Sequence, residues 1–424
     1  MKKNILNKLT KVFFILSLLI FIGGCAKKEE KTVIQFSSWG SESEITIIKP
    51  ILKEFERINP DIKVDFVHIP KNYFQKLHLL VASHLAPDVV FLNNINGPVY
   101  AENDILLDLS DYLKKDELTS ENDFFPQSLE AFKYKNTLYA IPRDISNLVI
   151  YYNKDIFDKY NVPYPDKNWD YNKFLSVTRK LTKDFNNDGK IDQFGVGFEE
   201  KSLFWLPFLW SNSGGIISSD LKTTKINNPE SIDSIQYYAD LRNKYHVAPT
   251  ASETGSATMS QLFMQGKIAM QINGRWGVPR YRKDLDFNWD IARFPKGSAG
   301  SIVDADASGW AISKSSRHPE EAWRLIRFLA GKHSSQGFTK SGLIVPARVD
   351  VANSDVFLDE GQLPKNSRLF IDIIPESKPT PVVENQQEIM DLIDISLESV
   401  WDGKKKAADV LDDKLVGRIN KLLH

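Results

Sequence analysis

The sequence of 424 residues has one cysteine, Cys25, and only seven histidines. A single cysteine cannot form a disulfide within the chain, so the fold depends on its hydrophobic core alone. The sequence also lacks a G-x-S-x-G elbow, an H-E-x-x-H pair, a P-loop and a G-x-G-x-x-G turn, and its histidines show no metal-ligand spacing. These absences give little support to an enzyme, although a glycosidase would need only two opposed carboxylates among the 55 acids.

The sequence has no strong excess of charge, with 54 basic and 55 acidic residues and a net charge of −1. Four lysines lie within the first 24 residues, so without that segment the formal charge falls from −1 to −5. Such a chain lacks the basic face that binds nucleic acid. Its 42% hydrophobic content over about 400 remaining residues predicts two lobes or domains.

The N-terminal segment combines a basic start, an apolar run at 12–22 and small residues before Cys25. This pattern is typical of a secretory signal, and the run is shorter than the roughly 20 residues that cross a bilayer. The sequence IGGC at 22–25 resembles the bacterial lipobox, in which the cysteine is lipidated after cleavage. The resemblance implies a signal peptide at 1–24, a lipidated cysteine and tether at 25–31, and an anchor at the cell membrane. The alternative is a structural cysteine beside a signal anchor.

Hydrophobic periodicity after the tether predicts three strands separated by two helices, with the strands at 32–37, 62–66 and 89–92. This β-α-β-α-β order predicts an α/β fold with a parallel sheet covered by helices. Two further strands are predicted at 138–141 and 148–152, around the sequence PRD at 142–144.

Ligands bind at the carboxyl ends of strands in a sheet of this kind. Four candidate binding residues follow the first and third predicted strands: Trp39, Glu42, Asn93 and Asn94.

Several segments occur along the chain in a characteristic order: SWG at 38–40, FERINPDIKV at 55–64, APDVVFL at 86–92, IPRDISNLVIYYNKDIF at 141–157, NDGKIDQFG at 187–195, GKIAMQINGRW at 266–276, SGWAIS at 308–313 and HPEEAWRLIRFLAG at 318–331. In this order and spacing they resemble the extracellular solute-binding proteins of ATP-binding-cassette importers, in the large group that mostly binds sugars. The resemblance covers nearly the whole chain after the tether.

The resemblance implies a two-lobed periplasmic-binding-protein-like fold, with each lobe a mostly parallel sheet flanked by helices. We expect an N-terminal lobe at 32–143 plus 296–345 and a C-terminal lobe at 144–295 plus 346–424. A monomer of this kind holds its solute between the lobes, closes about a hinge and docks on the transmembrane permease subunits of the importer. No cofactor is required for this activity.

A sugar offers apolar ring faces and a rim of hydroxyls, which suit aromatic platforms and fixed polar groups. In relatives that match INGRW, an aromatic residue at the position of Trp276 stacks on the sugar. Four other tryptophans beside strand ends, glycines or a proline are candidate platforms, each with a core position as the alternative: Trp39, Trp205, Trp210 and Trp310.

Relatives often place an acid at the positions of Glu42 and Asp144 to accept hydroxyl hydrogen bonds. Asn93 or Asn94 occupies the place of an aspartate that relatives often carry after PDVV. Arg348 is a candidate for binding two hydroxyls with its guanidinium. For each of these residues the alternative is a solvated loop position or a helix cap.

The loop at 184–192 matches the first nine positions of an EF-hand loop, with glycine at the sixth position. The oxygen ligands would be Asp184, Asn186, Asp188 and Asp192. The bidentate glutamate at the twelfth position is absent, so the candidate is a weak structural calcium site, and the alternative is a tight turn.

The function expected from the sequence is therefore binding of a sugar, in particular a di- or oligosaccharide, outside the cytoplasm. Three alternatives remain open. They are a protein of the same fold that binds a glycerol phosphodiester or a peptide, an exported enzyme that acts on polysaccharide, and an adhesion or scaffold lipoprotein.

Overall fold

A computed structural model describes residues 31–40 and 42–424, and Cys25 and the predicted signal peptide lie outside these ranges. The described strands are β1 Thr32–Ser38, β2 Ile62–His68, β3 Val89–Asn93, β4 Lys133–Tyr134, β5 Thr137–Leu138, β6 Ile141–Ser146, β7 Leu148–Asn153, β8 Met270–Gly274, β9 Trp289–Ala292, β10 Asp306–Ile312 and β11 Val345–Pro346. The described α-helices are α1 Glu42–Ile58, α2 Tyr73–Ala82, α3 Gly97–Glu102, α4 Ser110–Lys115, α5 Pro126–Glu130, α6 Lys154–Lys159, α7 Tyr171–Leu181, α8 Ser202–Ser211, α9 Pro229–Asn243, α10 Ala251–Thr254, α11 Met259–Met264, α12 Val278–Asp284, α13 Pro319–Ala330, α14 Lys332–Lys340, α15 Val349–Ala352, α16 Asp355–Leu358, α17 Leu369–Asp372, α18 Gln386–Trp401, α19 Ala407–Val410 and α20 Asp413–Leu422. Within these described ranges, no helix has the length and apolar character to cross a membrane.

Six strands form the larger sheet, in the order β11-β6-β10-β3-β1-β2. β1 pairs in parallel with both β2 and β3, and α1 and α2 are the two connecting helices, as the β-α-β-α-β pattern predicts. The ends of β1 and β3, at Ser38 and Asn93, therefore lie at the same edge of the sheet. β10 runs antiparallel to β3 and β6, and β11 runs antiparallel to β6.

Three strands form the smaller sheet, in the order β8-β7-β9, and both pairings are antiparallel. The prediction of a mostly parallel sheet in each lobe is therefore wrong for this sheet and holds only for the β2-β1-β3 part of the larger one. Strand direction here depends on pairings between residues more than 100 positions apart, which local periodicity does not encode.

Each sheet is packed in its own hydrophobic core. We define the N-lobe as the part of the chain around the six-stranded sheet and the C-lobe as the part around the three-stranded sheet. In the N-lobe, Ile48, Leu52 and Phe55 of α1 are buried because residues three and four positions apart share one face of a helix. The predicted boundaries at 143/144 and 345/346 fall within β6 and β11 of the six-stranded sheet, and the boundary at 295/296 stays a prediction.

The chain passes between the two sheets at closely spaced points. A single residue, Asn147, separates β6 from β7, and its side-chain Nδ2 donates to the carbonyl of Phe370 at 2.8 Å. A second passage between the sheets lies just before β10, at Val303 and Ala305. The backbone N of Lys378 donates to the carbonyl of Val303 at 3.0 Å, and the carbonyl of Lys378 accepts from the backbone N of Ala305 at 2.7 Å. The segment that contains Lys378 is thereby held against the crossing.

Candidate functional site

A cavity of about 440 Å³ lies in the C-lobe, between the end of α8, the loop that follows it and the segment before α18. The loop turns closely beneath α9, because a Cβ at Gly214 would lie 3.0 Å from the Cα of Ser231. We call this space the C-lobe cavity. Its lining includes Leu206, Trp210, Ser213, Ile216, Ile217, Lys225, Ala299, Lys378, Pro379, Thr380, Pro381 and Gln386.

The wall of the C-lobe cavity is hydrogen-bonded to the N-lobe through Asp306 at the start of β10. Thr380 donates to the two oxygens of Asp306 from its backbone N and its Oγ1, at 2.9 Å each. Asn94, directly after β3, donates to Asp306 from Nδ2 at 2.8 Å and accepts from the backbone N of Ala307 at 2.9 Å. The cavity therefore adjoins the carboxyl end of β3, where the sequence predicts a ligand.

A second carboxyl group, Asp304, lies two residues before Asp306 and is only 1% exposed. Neither of its oxygens accepts a hydrogen bond of normal geometry. Burial raises the pKa of Asp304 well above its usual range and the nearby Asp306 adds to this effect, while the backbone N–H groups of Asp304 and Leu148 offset part of it. Burial also raises the pKa of Asp306, although the donors from Thr380 and Asn94 oppose that shift. The carboxyl groups of Asp304 and Asp306 thus lie beside the cavity, in the segment where the chain passes between the lobes.

The N-lobe contributes a compact group of aromatic and charged side chains, which we call the N-lobe cluster: Trp39, Phe91, Arg143 and Asp144. The ring centroids of Trp39 and Phe91 lie 4.3 Å apart, and the Arg143 guanidinium lies 4.4 Å from the Phe91 centroid. Arg143 Nε donates to Asp144 at 2.7 Å, and the backbone N of Ser308 donates to the other Asp144 oxygen at 3.1 Å. The structure thus brings Trp39 and Asp144 together, and a bound hydroxyl would share the Asp144 carboxylate with these donors.

Trp276 follows β8 and remains 37% exposed. Its ring lies directly over Gly274, where an added Cβ would approach the indole to 1.9 Å, so this position requires glycine. Beside it, Arg275 is buried, donates from Nε to the carbonyl of Gly342 at 3.1 Å and lies 4.3 Å from the centroid of Phe357. Trp276 is therefore an exposed aromatic side chain on a firmly held turn, which suits its predicted stacking role.

The structure places two of the five candidate tryptophans in hydrophobic cores, contrary to their predicted role. Trp205 and Trp310 are each 1% exposed, so neither offers a ring face to a solute. Trp310 lies on the central strand β10 with Phe91 and Phe338 at about 6 Å. Trp210 also belongs to the C-lobe core, but it lines the cavity.

Asn93 and Glu42 are two of the five candidate polar residues, and each has a role in local structure. Asn93 Oδ1 accepts from both the backbone N and the side-chain Nδ2 of Asn96 at 2.9 Å, which stabilises the turn after β3. Glu42 is exposed on the first turn of α1, where a carboxylate complements the helix dipole. A ligand contact for either residue stays a prediction.

Arg348 is buried and its guanidinium is already paired. Nε lies 3.0 Å from Asp350, and Nη2 lies 3.2 Å from Asp123. A sugar would have to compete with two carboxylates for these donors. The structure therefore does not show the free guanidinium that the predicted role of Arg348 requires.

The loop at 184–192 closes on itself. Asp184, Asp188 and Asp192 each accept a backbone N–H of the loop at 2.7 to 2.9 Å. Among residues 31–40 and 42–424, no group of three or more His, Cys, Asp and Glu side chains is placed to hold a metal ion. This geometry agrees with the tight turn, and calcium binding by these residues and Asn186 stays a prediction.

Chelation tests the calcium prediction. Because three carboxylates of the loop already accept its backbone N–H groups, as in a tight turn, we expect EDTA to leave the melting temperature of the purified protein unchanged, with Asp188→Asn as the matched variant. A fall in melting temperature that calcium reverses in the wild type, but not in the variant, would establish a calcium site instead.

Sequence reasoning missed five residues of this region: Lys225, Asp306, Lys378, Thr380 and Gln386. The segment around Thr380 carried a usable signal, because Pro379 and Pro381 flank it just before the C-terminal helical stretch. The other four residues carried no such signal, since a single lysine, aspartate or glutamine is most often an exposed surface residue.

Apolar walls with a few convergent polar groups, next to a crossing between two lobes, form a site that can bind a small polar solute. The wall of the C-lobe cavity is joined to the N-lobe by the hydrogen bonds that Asp306 accepts from Thr380 and Asn94. A solute in the cavity would have the Trp210 ring and the polar groups of the lining within reach.

Comparison with known proteins agrees with this geometry. The family profile described as bacterial extracellular solute-binding protein matches residues 40–334. The galactooligosaccharide-binding protein of Bacillus subtilis is 24% identical over 413 residues, which cover 92% of this chain and 91% of that protein.

Solved structures share the whole fold. An ABC substrate-binding protein from Listeria monocytogenes in complex with cycloalternan has a TM-score of 0.84 at 28% identity, covering 93% of this chain and 99% of that one. Maltose-bound MalE3 of T. maritima has a TM-score of 0.77 at 21% identity, covering 93% and 100%. The second similarity is one of fold alone.

Proposed function

The chain belongs to the bacterial extracellular solute-binding proteins, and from this membership we propose that it captures a di- or oligosaccharide between its lobes for an ATP-binding-cassette importer. A protein of this family binds a solute and does not catalyse a reaction. The galactooligosaccharide-binding protein of Bacillus subtilis and the Listeria monocytogenes protein in complex with cycloalternan each cover more than nine-tenths of this chain.

The observation that carries the proposal is the connection between the C-lobe cavity and the N-lobe through Asp306. A solute favours closure only if it contacts both lobes and therefore binds the closed state more tightly. The hydrogen bonds from Thr380 and Asn94 to one carboxylate place the cavity beside the N-lobe strand ends. The exposed Trp276 adds an apolar face suited to a sugar ring.

The arginines that would favour a phosphodiester are engaged in protein contacts. Arg143 pairs with Asp144, Arg275 donates to backbone carbonyls, and Arg348 pairs with Asp350. These contacts occupy most of the arginine donors that would bind a phosphodiester, and among the three guanidinium groups Arg275 Nη1 is the one buried nitrogen without a hydrogen-bond partner in the described residues. Family membership argues against the polysaccharide-cleaving enzyme and the scaffold.

We further propose that Cys25 carries the lipid anchor and that the closed form docks on a permease in the membrane. The anchor rests on the IGGC sequence at 22–25, which precedes the described residues. Labelling with a radioactive fatty acid, lost in Cys25→Ser, tests the anchor. Labelling that persists in the variant would contradict it.

Trp276→Ala is expected to weaken oligosaccharide binding about 30-fold, which corresponds to about 2 kcal/mol for a ring that covers the ligand. Its thermal stability should change little, because the indole is 37% exposed. Calorimetric titration with a panel of di- and oligosaccharides measures the first effect, and thermal unfolding measures the second.

Phe185→Ala is the matched control, since Phe185 is also an exposed aromatic residue but lies in the loop at 184–192. Its affinity should equal that of the wild type. The proposed function would be wrong if no saccharide bound while a glycerol phosphodiester or a peptide did.

A further inference from the structure

The ionisable side chains that line the C-lobe cavity are Lys225 and Lys378, and no aspartate or glutamate lines it. This local charge contrasts with the acidic balance of the chain after residue 24. Neither ammonium group is part of an ion pair within residues 31–40 and 42–424. The two cations therefore remain available to a bound solute.

One buried acid, Asp306, lies behind Thr380 of this lining. Asp306 is 7% exposed, and its two oxygens already accept hydrogen bonds from Thr380 and Asn94. Asp304 is still more buried. Both carboxyl groups thus lie behind the wall of the cavity, and neither forms an ion pair with Lys225 or Lys378.

A neutral polar group in the same lining also lacks a partner. Gln386, the first residue of α18, is 6% exposed, and its Oε1 is buried without a hydrogen-bond donor. A buried acceptor without a donor costs free energy, which a ligand hydroxyl would recover. Gln386 is therefore suited to accept a hydrogen bond from a solute in the cavity.

We propose that the C-lobe cavity binds a sugar unit that carries an anionic substituent, a carboxylate or a phosphate ester. Lys225 and Lys378 bind the anion, Gln386 accepts a hydrogen bond from a ring hydroxyl, and the apolar walls at Trp210 and Pro379 contact the ring. This inference rests on the proposed function, because it specifies the class of oligosaccharide.

The test compares ligands that differ only in the anion. Calorimetry on the full chain purified in detergent would use digalacturonate against its neutral galactose disaccharide, and maltose phosphate against maltose. We expect one acidic member to bind at least about tenfold more tightly than its neutral match at low salt. High salt should reduce that advantage. The pair that shows it identifies the carboxylate or the phosphate as the anion.

Lys225→Gln and Lys378→Gln should each reduce the advantage of the acidic ligand about fivefold, which is the upper range for a solvent-accessible ion pair. Lys222→Gln is the matched control, because Lys222 is exposed on the same loop but does not line the cavity. Gln386→Met should weaken acidic and neutral members equally, by about tenfold, without lowering the melting temperature of the free protein.

The outcomes separate the two levels of the proposal. Equal binding of neutral and acidic ligands, unaffected by the lysine variants, would overturn the anionic substituent and leave oligosaccharide capture intact. Binding of glycerol 3-phosphate with no response to any saccharide would overturn the proposed function itself.

Discussion

Asp304→Asn is expected to raise the free energy of unfolding at pH 8 by about 1–3 kcal/mol, because the amide removes the cost of burying a carboxyl group whose pKa is raised above its usual range. Asp304 is 1% exposed, neither of its oxygens accepts a normal hydrogen bond, and burial raises its pKa. An asparagine has nearly the same volume and carries no charge. Urea unfolding between pH 4 and pH 9 measures the effect.

The direction of the pH dependence follows from the raised pKa. The folded protein holds the Asp304 proton more tightly than the unfolded chain does. The stability that proton binding by Asp304 contributes is therefore fully present below the pKa of this group in the unfolded chain, near 3.9. It is lost as the pH rises through the pKa of Asp304 in the folded protein. The variant should thus gain most over the wild type at high pH and least at pH 4.

Asp306→Asn is the matched control and should have the opposite sign. The two oxygens of Asp306 accept three hydrogen bonds, from Thr380 and Asn94, and an amide would place a donor group opposite one of these donors. We expect a loss of about 1–3 kcal/mol. A destabilised Asp304→Asn variant would mean that the backbone N–H groups of Asp304 and Leu148 stabilise the Asp304 carboxylate by more than its burial costs.

Trp310→Ala is expected to lower the free energy of unfolding by about 3–5 kcal/mol, the range for truncating a large buried aromatic residue. Trp310 lies on β10 with β3 and β6 on either side, and Phe91 and Phe338 lie near its ring. Denaturant unfolding of the purified protein measures the loss, and Trp310→Phe should recover most of it.

Trp310 and Trp276 should thus behave as opposites. Trp310→Ala should lower stability with only a small effect on saccharide affinity at a temperature where the variant is folded, while Trp276→Ala should do the reverse. A folded Trp310→Ala variant that has lost saccharide binding but keeps its stability would contradict the assignment of this residue to the core.

The sequence predicts the N-lobe better than the C-lobe, and the reason is physical. Strand and helix periods between 32 and 92 are local, and parallel order follows from the connecting helices. The sequence predicts strands at 138–141 and 148–152 around PRD at 142–144, but β6 runs through Pro142, and the pairing of β6 with β10 shifts by a bulge between Ser308 and Gly309. A proline is tolerated in a strand at such an irregularity.

The candidate site was only partly accessible to sequence reasoning. Trp310 directly follows a glycine and Trp276 lies two residues after one, so their flanking residues do not show which indole is exposed and which is buried. That difference depends on residues distant in sequence, such as Phe338 beside Trp310. Asp306, Lys378 and Gln386 come together only through tertiary packing, so no local pattern predicts them.

The position of β10 at the centre of the larger sheet has a consequence for how the chain acquires its fold. Ser308 pairs with Asn93, so the sheet joins residues 215 positions apart. Contacts at such separation slow folding, because loop closure must be completed before the contacts form. A chain that is synthesised from its N-terminus cannot complete this sheet until residues 306–312 of β10 have been made. The order of strands thus delays folding, and such a delay keeps a polypeptide in the unfolded state while it is being moved across a membrane.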